Sequence, residues 1–412
     1  MKLAYVIPSC GVSGGIAVVC QHANRLLKRG HEVYLLDQSG VCRIDWFPGQ
    51  RVPILRIDHG VSGLDAIIAT GWSTSFVVAE LPARHKFYFV QSDETRFHPS
   101  DSEWCHITRL SYLLNFQYLT EAKWIQKWLC DEFGHAAGLV PNGVDPNLFH
   151  PSEPIAKREN RPRVLLEGAI GLPFKGMEQA FAAVSGLDVD VWCISSFGKP
   201  PRSWKVDRFF ESVPISEMKR LYSSCDVLLK LSRVEGFPGP PLEMMACGGA
   251  CVVGWARGYD EYIVPDYNAL VVDPLDIAGA RAAVKRLIED KELRARLIRN
   301  GQETAAAWRW EPSIDKLESY LLATVRAEIP RNESVNGREA DRSIAFFYRR
   351  LRDEALSRSQ APPTPLEPAE HMVRLLLKNS WFKKCSSIAY HAVRILRRCY
   401  RRLYAVQLGR NG

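Results

Sequence analysis

Short apolar stretches alternate with amphipathic stretches along the first 150 residues of the chain. Residues 3–7 form an apolar run that predicts a buried strand, and apolar positions recur at helical spacing from about Ile16 to Lys28. Gly30 suits the end of that helix, and the next strand is predicted from Glu32 to Leu36. This order implies a parallel sheet with a right-handed crossover. Further strands are predicted near 66–70, 87–91 and 116–120, and one ends at Val140.

The same pattern restarts after a polar, proline-containing stretch at residues 151–163, which is typical of an interdomain linker. Strands are then predicted near 163–167, 189–195, 227–231 and 251–254, with helices between them. The last helices are predicted near 276–290, 291–308 and 313–326. Two successive doubly wound α/β domains are therefore expected. Because ligands of such sheets bind outside the carboxyl ends of the strands, the cleft between the domains is the expected site.

The length of 412 residues exceeds what one hydrophobic core usually fills. We divide the chain into two Rossmann-like domains, 1–155 and 156–327, followed by a linker and helix at 328–370. The remaining segment, 371–412, is predicted to be a basic amphipathic tail.

The tail contains ten Lys or Arg residues and no acidic residue, so its charge of +10 exceeds the net charge of +8 and the rest of the chain has a net charge of −2. Basic residues contribute about 1 kcal/mol each near an anionic membrane surface. We therefore expect peripheral binding to the inner face of a membrane by a cytoplasmic protein. The alternatives for the tail are nucleic-acid binding and docking on a partner protein. Of the possible partners, we expect the membrane surface and not a nucleic acid.

The eleven cysteines are scattered, and none forms a Cys-x-x-Cys pair or lies at metal-ligand spacing from a histidine. This usage indicates reduced, small apolar residues rather than a metal site. No stretch approaches the roughly 18 apolar residues that a membrane span needs. The apolar run at the N-terminus is short and is interrupted by Pro8, which favours a first strand over a signal peptide.

The segment from Glu235 to Glu243 combines two carboxylates with glycines and a proline pair before a predicted helix. A helix N-terminus presents free N–H groups and a positive dipole end, which suits a diphosphate. Glu243, expected in the first helical turn, could accept hydrogen bonds from a ribose diol. Glu235, on the loop, could contact sugar hydroxyls. The alternative is an ordinary turn with one carboxylate that stabilises the helix dipole.

This segment resembles the E-x7-E signature of retaining GT-B glycosyltransferases of family 4, also called glycosyl transferases group 1. Other stretches resemble motifs of the same family in the same order. They are Gly14-Gly15, Gly30-His31-Glu32-Val33, Val140-Pro141-Asn142-Gly143-Val144-Asp145, Lys175-Gly176, Met245-Ala246-Cys247-Gly248 and Gly258-Tyr259-Asp260-Glu261-Tyr262. The resemblance covers about residues 1–325 and implies a GT-B fold, with the acceptor on the first domain and the nucleotide sugar on the second.

The resemblance also implies roles for single residues. Lys175 and Glu235 would be catalytic, with Lys175 at the donor diphosphate and Glu235 facing the transferred sugar. Glu243 would bind the nucleotide ribose, and Gly15 would lie close to the donor phosphate across the cleft. The other implied donor-binding residues are Gly236, Phe237 and Gly239.

Three positions depart from the family pattern. Ala169 replaces the usual arginine six residues before Lys175, and Arg233 is a candidate substitute, with a solvated surface arginine as the alternative. Pro238 replaces a glycine in the stretch between Glu235 and Glu243, which we call the donor loop. Gln91 replaces a histidine after the strand near residue 90, in a segment that loosely resembles polysaccharide rhamnosyltransferases.

Two carboxylates follow Gln91 in the sequence. Asp93 and Glu94 could serve an acceptor hydroxyl together with Gln91, and a solvated loop is the alternative.

The predicted function is metal-independent, retaining transfer of a hexosyl or deoxyhexosyl group in surface polysaccharide or glycoconjugate synthesis. The donor would be a UDP-, GDP- or dTDP-sugar, the acceptor a glycan or lipid-linked glycan, and no cofactor would be needed. Two alternatives keep the fold. One is a sugar-nucleotide epimerase or glycan phosphorylase. The other is a non-catalytic nucleotide-sugar sensor, which Ala169 and Gln91 would favour.

Overall fold

The computed structural model describes residues 1–156, 161–327 and 331–359. The predicted tail, 371–412, lies outside the described residues. The chain falls into two compact units. The first consists of Met1–Gly71, Pro82–Asp93 and Gln117–Ala327, and the second includes Trp72–Leu81, Glu94–Phe116 and the helix described last below. Both predicted Rossmann-like sheets lie in the first unit.

The first sheet has seven parallel strands. They are β1 (Lys2–Ile7), β2 (Glu32–Asp37), β3 (Ile54–Arg56), β4 (Ala66–Ala69), β5 (His85–Val90), β6 (Gln117–Thr120) and β7 (Ala137–Leu139). Their order is β3-β2-β1-β4-β5-β6-β7, which puts the reversal of strand order between β1 and β4. Helix α1 (Gly14–Lys28) follows β1, and Ser13 caps it by accepting a hydrogen bond from Ile16 N–H.

The second sheet has six parallel strands. They are β8 (Arg163–Glu167), β9 (Asp190–Ser195), β10 (Arg208–Glu211), β11 (Val227–Lys230), β12 (Ala250–Gly254) and β13 (Leu270–Val272), in the order β10-β9-β8-β11-β12-β13. The reversal of strand order here lies between β8 and β11, where a doubly wound sheet opens a crevice for ligands. Two doubly wound sheets confirm the predicted architecture.

The helices complete this pattern. Those of the first unit after α1 are α4 (Lys123–Phe133), α5 (Met177–Val184), α6 (Ile215–Ser223), α7 (Gly239–Ala246), α8 (Ile277–Glu289), α9 (Lys291–Ala307) and α10 (Trp310–Arg326). Those of the second unit are α2 (Trp72–Glu80), α3 (Glu103–Ser111) and α11 (Arg331–Ser359).

Helix α10 follows the second sheet in sequence but packs into the hydrophobic core of the first. Trp310, Ile314, Leu317 and Leu321 are buried there beside strand β1 and helix α1. The chain reaches this position by passing the corner at residues 141–145, where Val144 N–H donates to Trp308 O at 2.8 Å. A β-carbon on Gly143 would lie 2.6 Å from Arg309 C, so the crossing requires glycine at this corner.

The second unit is held together by an aromatic contact and an ion pair. Phe76 of α2 stacks on Tyr348 of α11, with ring centroids 4.1 Å apart, and Arg349 pairs with Glu80 at 2.8 Å. Helix α11 occupies much of the segment predicted as linker and helix. Within the part of the chain that the structure describes, no helix is both long and apolar enough to cross a membrane.

Candidate active site

Lys175 is held at the carboxyl edge of the second sheet by a tight turn. It ends a 3-10 turn, Pro173–Lys175, that follows strand β8, and Gly176 continues the chain with a φ of 65°. A β-carbon on Gly176 would lie 2.1 Å from the carbonyl oxygen of Leu231, so only glycine fits. The turn therefore brings the Lys175 side chain to the end of strand β11.

The carboxylate of Glu235 forms ion pairs with two lysines. Its Oε1 lies 2.9 Å from Lys175 Nζ and 3.3 Å from Lys230 Nζ. Burial of Glu235 acts to raise its pKa, but the two lysines outweigh burial and hold the pKa at about 2. Glu235 is therefore a carboxylate at neutral pH.

Lys230, which also contacts Glu235, lies at the point where the strand order reverses. Lys230 ends β11 and Glu167 ends the neighbouring strand β8, and Lys230 Nζ lies 2.5 Å from Glu167 Oε2. Burial acts to lower the pKa of Lys230, whose side chain is 3% exposed, but Glu167 and Glu235 together raise the pKa above its usual value. Two ammonium groups and two carboxylates thus line the crevice.

Glu243 lies in the second turn of α7, so its expected place in the first turn is wrong. The helix begins at Gly239, because the prolines at 240 and 241 need no N–H partner in a first turn, and Glu243 becomes its fifth residue. Tyr222 O–H donates to Glu243 Oε2 at 2.8 Å. Burial raises the pKa of Glu243 to about 7, Glu167 adds to the rise, and Tyr222 and Lys230 oppose it.

The donor loop touches the end of strand β5 in the first sheet. A β-carbon on Gly236 would lie 1.7 Å from the carbonyl oxygen of Gln91, so the two backbones are in direct contact. The side chain of Gln91 lies against Gly15, where a β-carbon would be 3.1 Å from Gln91 Oε1. Gln91 Nε2 also donates to Thr70 O at 3.0 Å. The structure thus brings Gly15, Gln91 and Gly236 together.

The remaining predicted residues have varied environments. Arg233 donates from Nη2 to Pro173 O at 2.8 Å, at the start of the Lys175 turn. Phe237 is buried, with its ring centroid 5.0 Å from that of Tyr262. Asp93 is buried in the first unit. Glu94 belongs to the second unit, where its Oε2 accepts from Trp72 N–H at 2.8 Å. Asp93 is thus buried, whereas Glu94 is half-buried.

Sequence reasoning missed four residues of this region: Glu121, Glu167, Tyr222 and Lys230. A signal existed for Lys230, which stands inside the apolar run Val-Leu-Leu-Lys-Leu, since a charged residue in a buried strand is rare unless it is paired. Within residues 1–156, 161–327 and 331–359, no group of three or more His, Cys, Asp or Glu could hold a metal ion.

Residues 206–304 match the family described as Glycosyl transferases group 1. This match, together with the fold, supports a likeness to the family 4-like GT-B glycosyltransferases. The matched stretch contains β10 to β13, α7 and both carboxylates of the E-x7-E signature. The predicted resemblance is confirmed.

Two relatives match longer stretches. The O-antigen biosynthesis protein RfbC of Myxococcus xanthus is 26% identical over 346 residues, which cover 78% of this chain and 27% of RfbC. The MMP alpha-(1->4)-mannosyltransferase of Mycolicibacterium hassiacum is 29% identical over 188 residues, which cover 42% of this chain and 45% of that enzyme. The chain therefore spans less than half the length of these two relatives.

Solved structures share the fold. Sucrose-phosphate synthase from Thermosynechococcus elongatus superimposes with a TM-score of 0.65 at 17% identity, covering 79% of this chain and all of that chain. Anabaena Alr3699/HepE in complex with UDP-glucose superimposes with a TM-score of 0.64 at 16% identity, covering 78% of this chain and all of that chain. At these identities the likeness establishes the GT-B fold alone.

Proposed function

We propose that the chain is a retaining glycosyltransferase that moves a sugar from a nucleotide-sugar donor to a glycan or lipid-linked glycan. One observation carries the proposal. Glu235 meets Lys175 and Lys230 at the carboxyl ends of β8 and β11, where the strand order reverses, and its neighbour Gly236 touches Gln91 of the other sheet. A charged site at that point, bordered by both sheets, is what transfer between two substrates needs.

The leaving group of the reaction would be a nucleoside diphosphate, whose charge must be stabilised in the transition state. Lys175 and Lys230 supply two ammonium groups close to the proposed sugar site. Helix α7 adds the positive end of its dipole, but prolines at 240 and 241 leave Gly239 and Leu242 as the N–H donors of its first turn. We therefore assign most of the charge stabilisation to the lysines, without a metal ion.

Glu235 would act as a carboxylate. Its pKa of about 2 leaves no proton to donate at neutral pH, so it would accept hydrogen bonds from sugar hydroxyls and stabilise positive charge on the anomeric carbon. Attack by the acceptor hydroxyl on the face that the diphosphate leaves would retain the anomeric configuration, with the C–O bond to the diphosphate breaking and the hydroxyl proton passing to the departing diphosphate oxygen. Glu243, one helical turn into α7, would accept hydrogen bonds from the nucleotide ribose.

The relatives support a substrate class. RfbC is an O-antigen biosynthesis protein, which favours a surface polysaccharide as the product. HepE has been solved with UDP and with UDP-glucose, which favours a UDP-sugar, with GDP- and dTDP-sugars as the alternatives. The segment 371–412 would hold the protein at an anionic membrane surface, where lipid-linked acceptors reside.

The proposal is tested with the full chain and a panel of nucleotide sugars, selected by thermal shift, because a ligand that binds the folded state stabilises it. With the selected donor, Glu235→Gln should lose at least about 100-fold in transfer rate, measured well below its melting temperature, which should itself fall because Lys175 and Lys230 lose a charged partner. Glu217→Gln, on an exposed face of α6, is the matched control and should transfer normally. NMR of the product should show the anomeric configuration of the donor.

Other results would contradict specific parts of the proposal. Full turnover by Glu235→Gln would refute the assigned site, and an inverted product would refute retention. Ala169 and Gln91 favour one second candidate, a non-catalytic nucleotide-sugar sensor. A clear thermal shift without transfer or donor hydrolysis under any acceptor condition would favour that sensor.

A further inference from the structure

Helix α4, which follows strand β6 in the first sheet, is capped by a carboxylate from the second sheet's side of the site. Ala122 at the N-cap makes no side-chain hydrogen bond to the helix. Glu261 Oε1 instead accepts from Lys123 N–H at 2.6 Å and from Trp124 N–H at 3.4 Å. Free N–H groups and the dipole at a helix start favour such a carboxylate. A group more than 130 residues away thus completes this helix.

Trp124 reaches from the same helix to the donor loop. Its indole Nε1–H donates to Gly236 O at 2.7 Å. Gly258 packs on the same carbonyl, because a β-carbon there would lie 2.1 Å from Gly236 O, and its φ of 85° also requires glycine. The guanidinium of Arg257 lies 5.9 Å from the centre of the Trp124 ring. The carbonyl of Gly236 is therefore fixed from two sides.

The carboxyl group of Glu121 contacts the donor loop at Gly236 and Phe237. Its Oε2 accepts from Asn142 Nδ2 at 2.8 Å, and the backbone N–H of Phe237 also donates to the carboxyl group. A β-carbon on Gly236 would lie 2.7 Å from Glu121 Oε1. Burial raises the pKa of Glu121 to about 8, and the nearby Glu235 adds to the rise. Burial of a carboxyl group costs free energy of desolvation, which its two hydrogen bonds offset.

We propose that Glu121, Trp124 and Glu261 form a corner latch that positions the donor loop for catalysis. The latch fixes Gly236 and Phe237, which directly follow Glu235, so it sets where the Glu235 carboxylate stands against the donor sugar. These contacts join residues that follow β6 of the first sheet with loop residues of the second sheet. The donor loop therefore holds this conformation only while these contacts are made. These are positioning residues, and their catalytic consequence rests on the proposed function.

The contact itself can be tested without any activity, by hydrogen–deuterium exchange on the full chain. Trp124→Phe keeps an aromatic ring, though a smaller one, and removes the indole donor, and Glu121→Gln leaves one acceptor oxygen for two N–H donors. Both should raise exchange at least about tenfold in peptides that cover the Gly236–Phe237 amides, since exchange reports local opening. Trp128→Phe is the matched control, because Trp128 packs on Phe133 within α4 and should leave this peptide unchanged.

A kinetic comparison then tests positioning. Trp124→Phe and Glu121→Gln should lower kcat about tenfold or more for the selected donor, with a smaller change in acceptor KM, because a misplaced catalytic group lowers the rate of the chemical step. Glu261→Ala should behave likewise, and Glu261→Gln, which keeps the acceptor oxygen, should recover most of the rate. A purely structural role would change the melting temperature without this recovery.

The outcomes separate the latch from the proposed function. Unchanged exchange in both Trp124→Phe and Glu121→Gln would overturn the latch, whatever the activity. Raised exchange with unchanged kcat would overturn positioning. A wild-type chain that transfers no sugar would overturn the proposed function, and an exchange difference between Trp124→Phe and Trp128→Phe would still support the contact.

Discussion

Donor affinity should depend on pH through Glu243. The pKa of this carboxyl is raised from 4.5 to about 7, first because it is buried. The proposed ribose contact needs the carboxylate, since only that form accepts hydrogen bonds from both hydroxyls of a diol. Protonation therefore competes with binding, and affinity should fall as the pH falls through 7.

The size of the effect follows from the ionised fraction. A group with a pKa of about 7 is ionised to roughly 90% at pH 8 and to roughly 10% at pH 6, so the Kd should be about tenfold weaker at pH 6. That change corresponds to about 1.4 kcal/mol of binding free energy. An unperturbed glutamate would be ionised across this whole range and would give almost no change.

Tyr222→Phe should shift the transition upward. The phenol O–H donates to Glu243 at 2.8 Å and acts to lower the pKa of that carboxyl, so its removal raises the pKa further. At pH 7.5 the variant should bind donor more weakly than the wild type. Phenylalanine keeps the ring volume, so the change isolates the hydroxyl.

Isothermal titration calorimetry at pH 6, 7 and 8 measures these affinities, with the nucleotide sugar that gives the largest thermal shift. Its diphosphate is a diester and does not titrate in this range, so any pH dependence belongs to the protein. Glu243→Gln is the control and should bind weakly and independently of pH. A wild-type Kd that is constant from pH 6 to 8, or a pH dependence that survives in Glu243→Gln, would refute the reasoning.

Four further predictions concern other parts of the chain. Lys230→Met should destabilise the fold by about 3–5 kcal/mol in urea unfolding, because the partly buried Glu167 and Glu235 each lose a charged partner. Lys285→Met, on the surface, should cost almost nothing. Gly236→Ala should lower the melting temperature by several degrees, since its β-carbon would meet Gln91 O, and an unchanged value would contradict that contact. Transfer should survive EDTA; loss restored by Mg²⁺ would refute metal independence. Deletion of 371–412 should move the protein from the membrane to the soluble fraction, and unchanged fractionation would disprove the anchor.

The two sheets could be predicted from sequence because their central strands are apolar runs between clear turns. Strands β3, β10 and β13 were not predicted, since each has only three or four residues and forms a sheet edge. The packing of α10 into the first core was also not predicted. Helical periodicity identifies the apolar face of α10, but it does not indicate which of the two sheets that face packs against.

Only those residues of the candidate site that belong to short sequence motifs were predicted. Lys175, Glu235 and Gly15 come from short patterns, and the structure brings their segments together. The pairing of Lys230 with Glu167 joins residues 63 positions apart through adjacent strands, which only the strand order reveals. Glu121 reads in the sequence as an ordinary polar residue at the end of a strand, and its meaning appears only where the donor loop packs against it.

The return of α10 has a consequence for how the protein matures on the ribosome. The core of the first sheet includes Trp310, Ile314, Leu317 and Leu321, so a nascent chain that has emerged only to residue 155 exposes the apolar surface that α10 will cover. Such a fragment would be prone to aggregate and a natural client for chaperones. Completion of the first core therefore waits until the second sheet has been synthesised.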